Sequence, residues 1–250
     1  MEIFYGFFVT YIGMLLVSFG FLLSERIPTK QTLMGHSYCE SCKKPLHLID
    51  VLPLIGYIKN RGQCLSCGYK IPIKYPLTEL SGGLSFLMIY IMYGFSYEFF
   101  SVSIFLFVML IETMSDVKRK IVIDRIWMIG LVPLIIISIL NQSFLIHLAS
   151  ALIMFVLLYV IALVGKLILK KDALGGGDIK LYLFVGFFLT WQQSLLSLFF
   201  ASLIGFIYGK IFIRNNQKYI PLVPFIMVGA FVAYLWGDGL INWYINLLRV

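Results

Sequence analysis

Charged residues are scarce in this sequence. Only 13% of its 250 residues are Asp, Glu, Lys or Arg, and just 12 are acidic, whereas 60% are hydrophobic and the mean hydropathy is +0.93. A water-soluble domain is excluded, because so few polar side chains cannot cover its surface. We therefore expect an integral membrane protein of the all-α polytopic class, embedded in membrane lipid.

Apolar stretches near the length of about 20 residues that a helix needs to cross a bilayer predict eight transmembrane helices. They cover residues 3–23, 77–94, 98–115, 125–140, 144–165, 178–191, 194–213 and 221–238. The first stretch has neither a basic segment before it nor a small-residue cleavage site after it. We therefore expect it to be a transmembrane helix and not a cleaved signal peptide.

Basic residues are gathered on one side of this predicted bundle. Of the 20 Lys and Arg, 19 fall in the segments 26–74, 118–125, 166–180 and 210–218, and the other is Arg249. The positive-inside rule places these four segments in the cytosol and both termini outside. Because the basic residues are spread over loops at helix ends, topology explains the net charge of +8 and nucleic-acid binding is not expected.

Cysteine is also rare, and all four cysteines lie in one polar segment. Cys39, Cys42, Cys64 and Cys67 form two C-x2-C pairs separated by 21 residues, a spacing typical of four-thiolate zinc ribbons. Disulfides are less favoured, because thiols stay reduced in the cytosol. We predict a structural zinc in a small domain, for which four thiolates are better ligands than His36 or His47.

Carboxylates near the membrane interior are costly, by about 2.5 to 3.5 kcal/mol each on insertion scales. Asp116 and Asp178 nevertheless stand where apolar helices meet basic loops, and we predict that they form a catalytic pair for acid-base chemistry. Gly175, Gly176 and Gly177 precede Asp178, and without Cβ atoms they can adopt positive φ and let a substrate backbone approach the carboxylate closely. The alternative is that this Asp only begins a helix and interacts favourably with its dipole.

Two further carboxylates lie close to Asp116 in the sequence. Asp124 is the main rival of Asp116 for the catalytic role, but because it begins a helix we predict that it is a cap and orients the site. Glu112 lies one helical turn before Asp116 on the same face. It is either a protonated side chain hydrogen-bonded to a neighbouring helix or an acid whose charge raises the proton affinity of Asp116.

These motifs resemble those of the bacterial prepilin peptidases, the type IV leader peptidases of the GxGD aspartic class. Gly175-Gly-Gly-Asp178 is similar to the GxGD motif, and Asp116 followed by Asp124 is similar to the first aspartate motif. Further landmarks follow the family's order: Ser18-Phe19, Arg26-Ile-Pro28, Ser37-Tyr-Cys39, Arg61-Gly-Gln-Cys64, Tyr75-Pro-Leu-Thr-Glu79 and Pro221-Leu-Val-Pro224.

The resemblance implies a membrane aspartic endopeptidase with its active site facing the cytosol, at the bacterial plasma membrane. Its substrates would be type IV prepilins or pseudopilins, whose short basic leader it removes. Many members then methylate the new N-terminus with S-adenosylmethionine, and we assign Glu79 to that cofactor. The implied domains are a first transmembrane helix (1–24), a cytosolic zinc domain linked to methyl transfer (25–76) and a peptidase core (77–250).

The sequence departs from the family pattern at several positions. Ile123 replaces the usual Pro before Asp124 without removing a carboxylate, whereas Val17, Phe21 and Gly35-His36 fall in the region assigned to methyl transfer. A peptidase without methyl transfer is therefore the main alternative. The others are a zinc-binding protein that translocates ions and a non-catalytic scaffold for pilus assembly.

Overall fold

The computed structural model describes residues 1–33, 35, 37–39, 41–170, 174–212 and 220–248. Within these ranges it has ten helices and no β-strand, which confirms the all-α class. The helices are α1 (Glu2–Arg26), α2 (Leu48–Val51), α3 (Ile55–Lys59), α4 (Lys74–Tyr93), α5 (Tyr97–Arg119), α6 (Asp124–Leu140), α7 (Phe144–Leu169), α8 (Gly176–Phe188), α9 (Trp191–Phe212) and α10 (Val223–Leu248).

Eight of these helices coincide with the eight predicted transmembrane segments, but only five are long and apolar enough to cross a membrane: α1, α5, α7, α9 and α10. Helix α8 has 13 residues and α6 has 17, so they extend about 20 and 25 Å, less than the hydrocarbon thickness of about 30 Å. Helix α4 has 20 residues, but its first half carries Lys74, Thr78 and Glu79. The count of eight spans is not confirmed.

The described chain forms two compact units, Met1–Ser103 and Ile104–Val250. In the first, α1 packs closely along α4. Glycines permit the approach, because a Cβ at Gly82 would overlap Val17 and one at Gly13 would lie 2.8 Å from Phe86. Small residues commonly allow such close packing of membrane helices.

The second unit is built around the short helix α8. Leu181, Phe184 and Val185 are completely buried, since α8 has helices α6, α7 and α9 for neighbours. Phe105 of α5 stacks on Phe184 at 5.6 Å between ring centroids and is itself fully buried. A short helix that is apolar all round belongs in a protein interior. Helix α8 thereby holds its polar first turn at a defined place.

The boundary between the two units lies within α5. The predicted division into residues 1–24, 25–76 and 77–250 cuts the chain elsewhere, and it stays a prediction. What the structure adds is that α4 packs against α1 and that α6 to α10 are gathered in the other unit.

Candidate active site

Asp116 lies near the end of α5 and is 7% exposed. Its Oδ2 accepts a hydrogen bond of 3.0 Å from the backbone N–H of Val223, the first residue of α10, and the N–H of Leu222 points to the same carboxylate. The first N–H groups of a helix have no partner within the helix. Asp116 therefore supplies the acceptor that begins α10, and α10 in turn holds the carboxylate in place.

Asp178 is the third residue of α8 and is partly buried. Its carboxylate lies close enough to Asp116 for the two charges to interact. The structure thus brings together the two aspartates that the sequence singles out, although 62 positions separate 116 from 178 in the chain. Both belong to the second unit.

The three glycines before Asp178 do not use the positive φ that glycine permits. Gly175 has φ −66° and ψ 131°, and the described glycines with positive φ are Gly62, Gly68 and Gly94. Close approach explains Gly175 instead, because a Cβ there would lie 2.7 Å from Asp178 Oδ2. A Cβ on Gly177 would lie 3.0 Å from Val122, whereas one on Gly176 would meet nothing within 4 Å.

Asp124 is the first residue of α6 as predicted, but Ile123 occupies the N-cap position and makes no side-chain capping hydrogen bond. Asp124 Oδ2 instead pairs with Lys180 Nζ at 2.8 Å, and its Oδ1 accepts a hydrogen bond of 3.4 Å from Trp127 Nε1. Sequence reasoning missed Lys180 as a partner. The position of Lys180, two residues after Asp178, was the feature of the sequence that could have indicated a basic residue near the site.

Glu112 is completely buried in α5. Its Oε2 accepts a hydrogen bond of 2.7 Å from the backbone N–H of Ile123 in the loop before α6, and the backbone of Trp127 on α6 also lies close enough to interact with this carboxyl group. Its Oε1 has no hydrogen-bond partner within the described part of the chain. The charges of Asp116 and Asp124 both reach Glu112.

The four cysteines meet in the first unit. Their Sγ atoms all lie within 4.8 Å of one another, with Cys39 and Cys67 3.8 Å apart and Cys42 and Cys64 3.9 Å apart. A tetrahedron of Zn–S bonds of about 2.3 Å has S···S edges of about 3.8 Å, so the cluster fits zinc. All four are free thiols.

Two similar turns build this cluster. In each, the residue four positions after the first cysteine donates its N–H to that cysteine's carbonyl: Lys43 to Cys39 and Gly68 to Cys64. Both Lys43 and Gly68 have positive φ. The backbone N–H groups of Ser66 and Cys67 lower the pKa of the Cys64 thiol to about 6, whereas desolvation and the neighbouring thiols raise the pKa of the Cys67 thiol to about 11, so the cluster holds a thiolate beside thiols.

Two histidines, His36 and His47, are the less favoured candidates for zinc ligands. His36 lies outside the described residues. His47 precedes α2, and its backbone N–H donates to Asp50 Oδ2 at 3.2 Å, while the metal-binding group consists of the four cysteines.

Glu79 lies at a cavity of about 600 Å³ within the first unit. Its Oε2 accepts a hydrogen bond of 3.2 Å from the N–H of Leu54, and the Ser18 hydroxyl is close enough to donate to it. Leu54 has φ 58°, a strained value for leucine that this hydrogen bond helps to hold. Other lining residues include Phe21, Asp50, Asn60 and Gln63.

The cavity has polar groups that sequence reasoning did not single out. Asp50 accepts hydrogen bonds from Asn60 Nδ2 at 3.0 Å and from Lys59 Nζ at 3.3 Å. These contacts join α2 to the end of α3, and they depend on how the segment folds. No motif or spacing indicated them.

Comparison with known proteins identifies two matching regions. Residues 11–93 match the Bacterial Peptidase A24 N-terminal domain, and residues 103–210 match the Type IV leader peptidase family. The first region lies within Met1–Ser103, and the second begins at the boundary between the two units and ends within α9. A comparison with solved structures gives no match.

Relatives match over most of the chain. A "Prepilin leader peptidase/N-methyltransferase" of Bacillus subtilis (strain 168) is 31% identical over 94% of this chain and 96% of its own length. Proteins of the same name from Stutzerimonas stutzeri and Legionella pneumophila are 27% and 26% identical, over 87% and 85% of this chain and 77% and 76% of their own lengths. With two family regions in order and a relative matched almost end to end, the chain belongs to the type IV leader peptidase family.

Proposed function

We propose that this protein is a multi-pass membrane aspartic endopeptidase that removes the short basic leader from type IV prepilins or pseudopilins. The observation that carries the proposal is the meeting of Asp116 and Asp178 in one unit, each at a helix end and close enough to interact. The names of the relatives support the substrate class. The family membership favours a peptidase over ion transport or a scaffold.

The two carboxyl groups divide the work of hydrolysis. Like charges repel, so two carboxyl groups whose charges interact favour a state in which one of them keeps its proton. Backbone N–H donors stabilise the charged form of a carboxylate. Because Asp116 accepts from Val223, we assign it the ionised role and give Asp178 the proton.

In this mechanism Asp116 takes a proton from water as the water oxygen attacks the scissile carbonyl carbon. Asp178 donates its proton to the carbonyl oxygen, which gives a neutral tetrahedral diol. The diol then collapses: the C–N bond breaks, the leaving amine takes a proton from Asp116 and Asp178 recovers its own from a hydroxyl. The dyad returns to its starting state.

The orientation of the site follows from charge. Lys118, Arg119, Lys120 and Arg125 surround the loop after Asp116, and Lys180 follows Asp178. Under the positive-inside rule these ends of α5 and α8 face the cytosol, at the bacterial plasma membrane. A basic leader would meet the cytosolic surface there, with the apolar helix of the prepilin in the lipid.

Methylation of the new N-terminus is the second half of the proposal. The cavity in the first unit has the volume of a small-molecule site, and Glu79 lines it with the polar groups Asp50 and Asn60. These residues would hold S-adenosylmethionine, whose sulfonium and ammonium groups are positive and suit carboxylates. The methyl group would come from the cofactor. The zinc would stabilise the surrounding segment without taking part in either reaction.

Cleavage of a model prepilin by purified protein in detergent tests the peptidase. Asp116→Asn and Asp178→Asn should each lower the rate by more than about 100-fold, given the size of general acid-base effects. Asp124→Asn is the matched control, since it removes a nearby carboxylate that pairs with Lys180, and it should cost less than about tenfold. A severe loss in Asp124→Asn together with activity in Asp116→Asn would overturn the assignment.

A further inference from the structure

The loop between α5 and α6, residues 120–123, is tied to α5 by two buried side chains. Glu112 Oε2 accepts from the N–H of Ile123 at 2.7 Å, and Ser115 Oγ donates to the carbonyl of Ile121 at 2.8 Å. Glu112 is 0% exposed and Ser115 is 1% exposed. We call residues 120–123 the connecting loop.

The connecting loop also contacts the first turn of α8. Val122 packs against Gly177, where an added Cβ would lie 3.0 Å from Val122 Cβ. Directly after the loop, Asp124 pairs with Lys180 of α8 at 2.8 Å. The loop is therefore held on one side by the helix of Asp116 and on the other by the helix of Asp178.

Burying a carboxylate in order to hold a loop has a high free-energy cost. Its desolvation is costly, and one of its oxygens, Oε1, stays without a hydrogen-bond partner in the described residues. A short hydrogen bond in a low-dielectric interior is, however, strong and directional. It fixes the Ile123 N–H, and with it the start of α6, more rigidly than apolar packing would.

We propose that Glu112 is a positioning residue that sets the separation of Asp116 and Asp178 through the connecting loop. The proposal rests on the peptidase function above. It differs from a direct electrostatic action of Glu112 on Asp116, because the hydrogen bond to Ile123, and not the charge of Glu112, would position the two aspartates. The two accounts predict different results for a neutral side chain that still accepts a hydrogen bond.

Two substitutions separate these accounts. Glu112→Gln keeps a carbonyl oxygen for the Ile123 N–H but removes the charge, whereas Glu112→Met has similar length and no such acceptor. We expect Glu112→Met to lower kcat for a model prepilin by about 10- to 100-fold with KM changed less than about twofold, since misplacement by about 1 Å can cost 100-fold. Glu112→Gln should stay within about threefold of wild type. Equal losses in both variants, or wild-type kcat in Glu112→Met, would overturn the proposal.

A second variant keeps the proposal testable if Glu112→Met does not fold, as judged by gel filtration and thermal unfolding in detergent. Ser115→Ala removes only the bond to the Ile121 carbonyl, and it should lower kcat by about 3- to 10-fold at constant KM. An unchanged kcat in Ser115→Ala would contradict the role of the loop. Asp116→Asn, measured beside these variants, identifies the other kind of failure: if it cleaves at the wild-type rate, the proposed peptidase site itself is wrong.

Discussion

Gly175→Ala should damage catalysis without damaging the fold. The backbone there has φ −66° and ψ 131°, which alanine adopts without strain, so the effect must come from the added methyl group. That group would lie 2.7 Å from Asp178 Oδ2. Normal contact between a carbon and an oxygen is about 3.3 Å, so the carboxylate must move by about 0.6 Å.

Moving the end of a side chain is energetically cheap, whereas displacing a reacting group is not. A misplacement of about 1 Å can lower the rate by about 100-fold, and the shift expected here is somewhat smaller. We therefore expect Gly175→Ala to lower kcat by about 10- to 100-fold while expression, helicity and thermal unfolding stay near wild type. Cleavage of a model prepilin by purified protein, with kcat and KM determined separately, measures this.

The neighbouring glycine supplies the matched control. A Cβ on Gly176 would meet nothing within 4 Å, so Gly176→Ala should cleave at close to the wild-type rate. Gly177→Ala should have a kcat between those of the other two variants, because the Val122 side chain would have to move slightly to make room for the added Cβ. The reasoning is refuted if Gly175→Ala retains full kcat, or if Gly176→Ala loses as much.

Three further predictions concern the first unit. Cys39→Ser and Cys67→Ser should each release about one zinc per chain, measured by metal analysis, and make residues 25–76 sensitive to protease; full metal content in both would exclude thiolate ligation. Glu79→Gln should abolish transfer of label from S-adenosylmethionine to the new N-terminus while cleavage stays nearly unchanged, and the reverse result would contradict the assignment. The Asn60 amide lowers the pKa of Asp50, so this contact stabilises the folded segment above the ordinary pKa of Asp50 and the stability is lost as pH falls through the lowered one. Asn60→Ala should therefore move the acid midpoint of protease sensitivity to higher pH, and an unchanged midpoint would show that the contact adds no stability.

Local patterns in the sequence were sufficient to predict the positions of the long helices and the meeting of the four cysteines. The apolar runs coincide with eight of the ten described helices, because helix length and hydropathy are properties of contiguous residues. The C-x2-C pairs predicted a common site because two cysteines at that spacing occupy one turn, and the four Sγ atoms do lie together. The number of spans was harder to predict, since α8 is short and buried by other helices and not by lipid.

The partners of the site residues could not be read from the sequence. From its position alone, Asp124 was predicted to cap its own helix. In the folded chain its Oδ2 forms an ion pair with Lys180 Nζ at 2.8 Å. Glu112 was placed correctly on the face of Asp116, yet its acceptor role depends on the path of the connecting loop. The sequence suggested that the glycines before Asp178 permit a positive φ. In the structure they differ instead in the space available for an added Cβ. The roles of these residues in catalysis stay predictions.

The hydrogen bond between Val223 and Asp116 makes the two oxygens of this carboxylate unequal. With Oδ2 accepting from the start of α10, the carboxylate cannot exchange its two oxygens by rotation without releasing that hydrogen bond. The orientation of the Asp116 carboxylate is thus set by the backbone of another helix. The first turn of helix α10 contains no ionisable residue, yet an insertion or deletion ahead of Val223 would change the orientation of the Asp116 carboxylate.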